Sequence, residues 1–233
     1  MSLLPFSSFG VITYLPMYIE TPAHASPIRT LVLTSPRKHY VDTRLLMPSD
    51  ASHTITTIDW AFAGTSSTTP ATDSSPEHTI WMHWVDSSTA DGESVKDEGD
   101  MIRLANGEAV ERGQMVNPKT GKMEKYEESW IDIRPMGDKI GWVVKIQGQG
   151  VRGMVVRIGG FAQGILRKGG DFGIKRWRYV GGDEGWNPII EIGSLDIPKD
   201  IFGEKCSEMA EGDRFLGSDG LEWECVEKFE GHW

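Results

Sequence analysis

The chain carries 34 carboxylates, six histidines and two cysteines, and any chemistry it performs must draw on these side chains. Their spacing matches no standard catalytic signature. There is no phosphate loop, no GxGxxG ahead of a helix, no HExxH, no GxSxG and no paired CxxC. The histidines, at positions 24, 39, 53, 78, 83 and 232, form no HxH pair, and His78 and His83 fall on opposite faces of an extended strand. Neither a metal site nor a cofactor is therefore expected. Binding or catalysis would have to rest on side chains gathered by the fold.

Strand parity says which side chains can gather, because residues i and i+2 share a face. Trp60 and Phe62 share one face, and so do Trp81 and His83, with Met82 and Trp84 opposite. Tyr126, Glu128, Trp130 and Asp132 form a third such set. If that set points inward, Glu128 lies between two aromatic rings, where burial disfavours its charged form and makes it a candidate general acid. The other register turns Glu127, Ser129, Ile131 and Ile133 inward and leaves Glu128 in solvent. A structural ion pair of Glu128 with Arg44 or Lys125 is the competing role. His83, flanked by Trp81 and Trp84, is a candidate for a desolvated imidazole that titrates near neutral pH. The candidate catalytic residues are thus Glu128 and His83. The candidate ligand contacts are Trp60, Phe62, Trp81, Tyr126, Trp130 and Arg44, with core packing the alternative for each tryptophan.

The elements that must position them are strands. No window holds an apolar stripe of helical period beyond one or two turns, whereas Thr79–Asp86 (TIWMHWVD), Lys139–Gln147 (KIGWVVKIQ) and Met154–Ile158 (MVVRI) are apolar and rich in β-branched or aromatic residues. Glycines at 148–150, 159–160, 169–170 and 181–182 punctuate them, and glycine supplies the backbone freedom of tight hairpins. Asn117–Gly121 reads as a further turn, between a strand ending near Val116 and one starting near Met123. The acidic runs DEGDM (97–101) and GDEGW (182–186) also read as turns. Thr65–Glu77, rich in Ser, Thr and Pro, reads as a mobile surface loop whose Ser74 and Ser75 suit an acid-directed kinase.

These elements come in the same order twice. The apolar strand and return at 30–46, IDWAFAG, TIWMHWVD and YEESWIDI are matched by GMVVRIGGFAQGILRKG, IKRWRYVGG, NPIIEIGSLD and LEWECVEKF. Trp60 then faces Trp177, Gly64 faces Gly181 and Trp130 faces Trp223. The expected architecture is all-β: two tandem antiparallel lipocalin-like β-barrels from an internal duplication. The first occupies residues 1–135, including the 65–77 loop, and the second residues 136–233.

A formal charge of −10 argues against nucleic acid, which needs clustered Lys and Arg. The best basic cluster, Arg167, Lys168, Lys175, Arg176 and Arg178, reads as a solvated strand face. No apolar run approaches the roughly 18 residues that span a bilayer. Met1–Pro16 has neither the basic residues of a signal peptide nor an unbroken apolar stretch. Cys206 and Cys225 are too few for a disulfide framework and read as two independent thiols. A cytoplasmic protein without membrane insertion is expected.

The runs DWAFAGTSS (59–67), HWVDS (83–87), DEGDM (97–101), MVNPKTGKMEKYEESW (115–130), RGMVVRIGGFAQGILRKG (152–169), GDEGW (182–186) and WECVE (223–227) resemble the fungal Hri proteins over nearly the whole chain. The resemblance implies two tandem lipocalin-like barrels, and partners that include a casein kinase and a subunit of endoplasmic-reticulum translocation. It implies no catalytic residues. Three functions are then open. A protein-binding adaptor, regulated through the Ser/Thr loop, predicts filled barrels and an exposed apolar patch. A carrier predicts an open apolar cavity. A cofactor-free isomerase, cyclase or pericyclase of secondary metabolism, acting on an apolar small molecule, adds a convergent acid or base within the first barrel.

Overall fold

The computed structural model describes residues 11–16, 28–46, 57–116, 121–148, 150–202 and 208–231, with the backbone alone at 11–16 and 183. The first half of the chain folds as β1 (Val11–Pro16), β2 (Ile28–Thr34), β3 (His39–Leu46), β4 (Ile58–Thr69), β5 (Glu77–Asp86), β6 (Lys96–Arg103), β7 (Ala109–Val116) and β8 (Met123–Ile133). Each strand pairs antiparallel with the next, and β1 closes on β8 through Ile12 opposite Ile133. The result is a closed eight-stranded barrel. At that strand number the side chains themselves can fill the interior or enclose one small ligand.

The second half forms β9 (Ile140–Gly148), β10 (Val151–Ile158), β11 (Phe161–Lys168), β12 (Asp171–Gly181), β13 (Gly185–Gly193), β14 (Arg214–Leu216) and β15 (Glu222–Glu230). They make one antiparallel sheet in the order β13-β12-β11-β10-β9-β15-β14, a half-barrel. Its first strand pairs with its last long one, as β1 does with β8. Strand for strand, β9 to β13 follow the order of β1 to β5. Trp177 lies on β12 and Trp223 on β15, the strands that correspond to β4 of Trp60 and β8 of Trp130. In the ladder, however, Trp177 stands opposite Ala162, the second residue of its partner strand, and Trp60 opposite Arg44, the sixth of its own. Gly159, at φ 55°, turns β10 tightly into β11.

The two interiors differ in kind. Trp142, Trp177, Trp186, Trp223, Ile197 and Ile201 fill the second unit, with Phe202 stacked on Trp186 at 4.5 Å. The first unit encloses charge, as described below. Between them lies an apolar seam: Leu31, Leu33, Val41, Ala61, Ala63 and Val85 of the barrel's outer wall pack on Val143, Met154, Val156, Ile158, Ile165 and Ile174 of the sheet. Gln163 sits buried in that seam. Its amide donates to the carbonyls of Leu31 (2.8 Å) and Val41 (2.5 Å), and its oxygen accepts from Thr43 (3.0 Å) and Arg176 (3.1 Å). At the rim the buried carboxylate of Glu227 receives Ser35 Oγ (2.5 Å) and the Arg37 amide (2.9 Å), and lies 2.9 Å from His39 Nδ1.

Three expectations need correction. Residues 65–69 of the expected Ser/Thr loop continue β4, because they pair with His78–Met82 of β5, so the connection narrows to 70–76. DEGDM is no turn: it runs through β6, paired with β5 throughout and with β7 from Gly99 onward, and Gly99 is a strand residue. The basic cluster is a solvated face only in part, at the exposed Lys168 and Arg178. Arg176 is buried in the seam, and Arg167 reaches the carbonyls of Asp86 (2.9 Å) and Ser87 (3.1 Å) on the barrel. Most of the Asn117–Gly121 turn, Cys206, and residues 1–10 of the N-terminal segment lie outside the described residues. Among the described residues no helix is long and apolar enough to cross a membrane, and no cluster of His, Cys, Asp and Glu could hold a metal ion.

Candidate functional site

Strands β2 to β8 all send side chains into the interior of the barrel. On β3 alternation sends Tyr40, Asp42 and Arg44 inward while Val41 turns to the sheet. Trp60 and Phe62 come from β4, Trp81 and His83 from β5, and Tyr126, Glu128 and Trp130 from β8. All eight residues singled out in the sequence therefore meet in one interior. Phe62 stacks on His83 at 4.1 Å and meets Trp60 at 4.4 Å with the rings tilted by 49°. The half-buried Trp60 and Trp81 pack against the cluster of Val32, Tyr40, Phe62, Ala109 and Trp130.

Arg44 is the central cation. Its Nη1 donates to Glu128 Oε1 at 2.6 Å and its Nε to Asp42 Oδ2 at 3.2 Å. The guanidinium lies 5.8 Å from the Trp60 ring and 5.6 Å from the Phe62 ring, within cation–π range. Burial pushes the Asp42 carboxyl up to about 6, against the pull of Arg44.

The carboxyl driven furthest is one that parity alone did not single out. Glu111 on β7 stands directly opposite Glu128 on β8, and both are buried. Burial penalises each ion, and like charges at opposed positions repel. Desolvation first, and Glu128 second, push Glu111 up to about 8. It therefore holds a proton at neutral pH. Its Oε1 lies 2.7 Å from the Tyr126 hydroxyl, which lies 3.4 Å from the carbonyl of Glu98, and its Oε2 accepts from Trp130 Nε1 at 2.9 Å. Two opposed glycines make the room. A Cβ on Gly113 would fall 2.4 Å from the Tyr126 hydroxyl, and one on Gly99 would fall 2.9 Å from Glu111 Cγ.

A second polar centre surrounds His83. Its Nδ1 is 2.8 Å from Asp86 Oδ2, although strict alternation would put residues 83 and 86 on opposite faces. A β-bulge at Trp84, where β4 and β5 shift register, brings both inward. Asp86 also accepts from Trp60 Nε1 (3.0 Å) and from the Ser88 amide (2.7 Å) and hydroxyl (2.6 Å). Asp97 Oδ2 stands 3.5 Å from His83 Nε2, an ion-pair contact longer than an ordinary hydrogen bond. Burial disfavours the imidazolium, but Asp86 and Asp97 outweigh it and raise the His83 pKa. Tyr40 Oη, Asp42 Oδ1, His83 Nε2 and Glu128 Oε2 are buried without a hydrogen-bond partner among the described residues.

Sequence reasoning missed Tyr40, Asp42, Asp86, Asp97 and Glu111. The signal for Glu111 was present: counting back from Val116 and forward from Met123 in equal steps brings Glu111 opposite Glu128. Asp86 carried no such signal, because a bulge breaks the parity rule.

The family model described as Protein HRI1 matches residues 17–227. The chain belongs to the HRI1 family. Among solved structures, an uncharacterized protein from Saccharomyces cerevisiae is similar, with a TM-score of 0.74 and 17% identity over 95% of this chain and 99% of that one. At that identity the likeness establishes the fold alone. No curated protein matches the chain. HRI1 membership thus fixes the architecture, while the chemistry of the interior is read from this chain's own geometry.

Proposed function

We propose that the first barrel is a small-molecule site that works on its ligand by proton transfer without a cofactor, as an isomerase or cyclase would. The opposed pair Glu111 and Glu128 carries this reading. It sets a proton donor, Glu111, beside an acceptor oxygen, Glu128 Oε2, that no described residue engages. Arg44 fixes Glu128, Tyr126 and Trp130 fix Glu111, and Trp60, Phe62, Trp81 and Trp130 supply an aromatic wall for an apolar substrate. Such a reaction needs a positioned acid, a positioned base and exclusion of water. A solvated surface would provide none of these. The low cysteine content fits a cytoplasmic setting.

Native mass spectrometry of the protein purified from its own organism tests the binding half of the proposal. A small molecule released in one-to-one ratio, and no longer retained by an Arg44→Met variant, is expected. Turnover of that molecule should then lose its alkaline limb near pH 8 in Glu111→Gln. A bare chain from every gentle preparation, with no change in indole fluorescence on adding apolar metabolites, would sink the proposal.

A protein-adaptor reading rests on a different observation. β13 is an end strand of its sheet, and Tyr179, Val180 and Ile189 lie exposed on β12 and β13. If this face binds the casein kinase that the family resemblance implies, Val180→Lys with Ile189→Lys should abolish the association. The same pair of changes should leave ligand retention in the barrel intact.

A further inference from the structure

A cleft of about 300 Å³ opens at the seam between the two units, lined by Gly64, Thr65, Met82, Trp84, Lys145 and Met154, with Glu93 at its edge and His83 behind it. It lies on the outer side of the β4–β5 wall, away from Glu111. Its floor is Trp84, with Lys145 Nζ held 3.8 Å from the ring centroid. Lys145 makes no salt bridge with any described residue. The carboxylates that could neutralise it are engaged elsewhere: Glu93 by Arg152 at 2.9 Å, and Glu224, its cross-strand neighbour, by Arg214 at 2.9 Å. Arg152 also donates to the carbonyl of Trp84 at 3.3 Å. The cleft therefore joins a half-buried ammonium, which Glu224 and Glu93 favour only from a distance, to an aromatic and thioether surface. Burial and the neighbouring Arg152 push the Lys145 pKa down, so the surroundings oppose a charge that a bound anion would restore.

We propose that this cleft is a separate small-molecule site, which takes the carboxylate of an aromatic or short aliphatic acid on Lys145 and lays its apolar body against Trp84 and Met82. The volume sits at the lower end for ligand pockets and suits a single ring with a short chain. A charge-assisted hydrogen bond to a half-buried cation discriminates an acid from its neutral amide by about tenfold or more. The site shares His83 with the barrel interior but includes neither Glu111 nor Glu128.

Calorimetric titration with 4-phenylbutyrate and with its primary amide tests the proposal. The acid should bind one-to-one, and the amide about tenfold more weakly. Lys145→Met, which keeps a straight chain over Trp84, should lose the acid's advantage, Lys145→Arg should retain it, and Glu111→Gln should bind as the parent does. Amide resonances of Met82 to Trp84 should shift on binding. No saturable binding of the acid up to its solubility would overturn the proposal, as would equal affinity for acid and amide. Binding lost in Glu111→Gln but kept in Lys145→Met would assign the acid to the barrel interior and overturn it equally.

Discussion

At Glu111 a position in a hairpin register becomes a titration. The carboxyl, ordinarily at 4.5, keeps its proton in the folded chain up to about 8. Between those values the folded state binds more protons than the unfolded one, so stability falls as pH rises through the window. Asp42, moved from 3.8 to about 6, acts in the same direction. Urea melts on either side of the window should show wild-type stability declining, with a clearly shallower decline in Glu111→Gln. Equal slopes would place the titration elsewhere. Arg44 has the opposite vulnerability. Arg44→Met leaves Glu128 and Asp42 buried without their cation, an expected cost of about 3–5 kcal/mol by denaturant melts. Adding Glu128→Gln to that variant should recover part of the loss. The gathering of Trp60, Phe62, Trp81, His83, Tyr126, Glu128, Trp130 and Arg44 was legible because alternation needs only the identity of the strand. Which carboxyl keeps the proton was not, since that depends on the neighbour across the ladder.

At the scale of the element, room is set by glycine and direction by bulges. Gly113 lies under the Tyr126 ring, and a methyl group there meets both the phenol and the carbonyl of Glu98. Gly113→Ala should therefore cost about 1–3 kcal/mol and displace Tyr126 from Glu111, visible as a change in tyrosine absorbance. Gly64 is tighter still, since a Cβ would fall 1.9 Å from the Met82 carbonyl, within the ladder itself. Gly64→Ala should lower the melting temperature more than Gly113→Ala does, as differential scanning calorimetry would read. The strands were legible from β-branched runs and glycine pairs. The reach of β4 into a Ser/Thr-rich stretch was not, because the pairing of Thr68 with Thr79, hydroxyls 3.0 Å apart, is a property of two strands together. DEGDM misled for a related reason: the glycine that suggests a turn makes space for a side chain arriving from β7.

Across the whole molecule, the duplicated strand order serves two interiors, one apolar and filled, the other charged. The units depend on each other through the seam, where Leu31, Leu33 and Val41 meet Val156, Ile158 and Ile165. A chain cut between Ile133 and Ile140 should give halves that aggregate when expressed singly and recover on co-expression, as size-exclusion chromatography would show. Gln163→Leu should cost about 1–3 kcal/mol, because the Leu31 and Val41 carbonyls lose their buried donor. The seam was not legible, since each strand there is apolar on a face that an isolated barrel would show to water. The barrel's closure has its own consequence, which is temporal. Ile12 finds Ile133 only after the intervening chain has been made, and at about 5–20 residues per second the first strand waits for its partner on the order of ten seconds. During that interval β1 is an early product of synthesis with a partner on one side only. The order in which the ribosome delivers the strands thus leaves the last ladder of the barrel to be the first strand's second one.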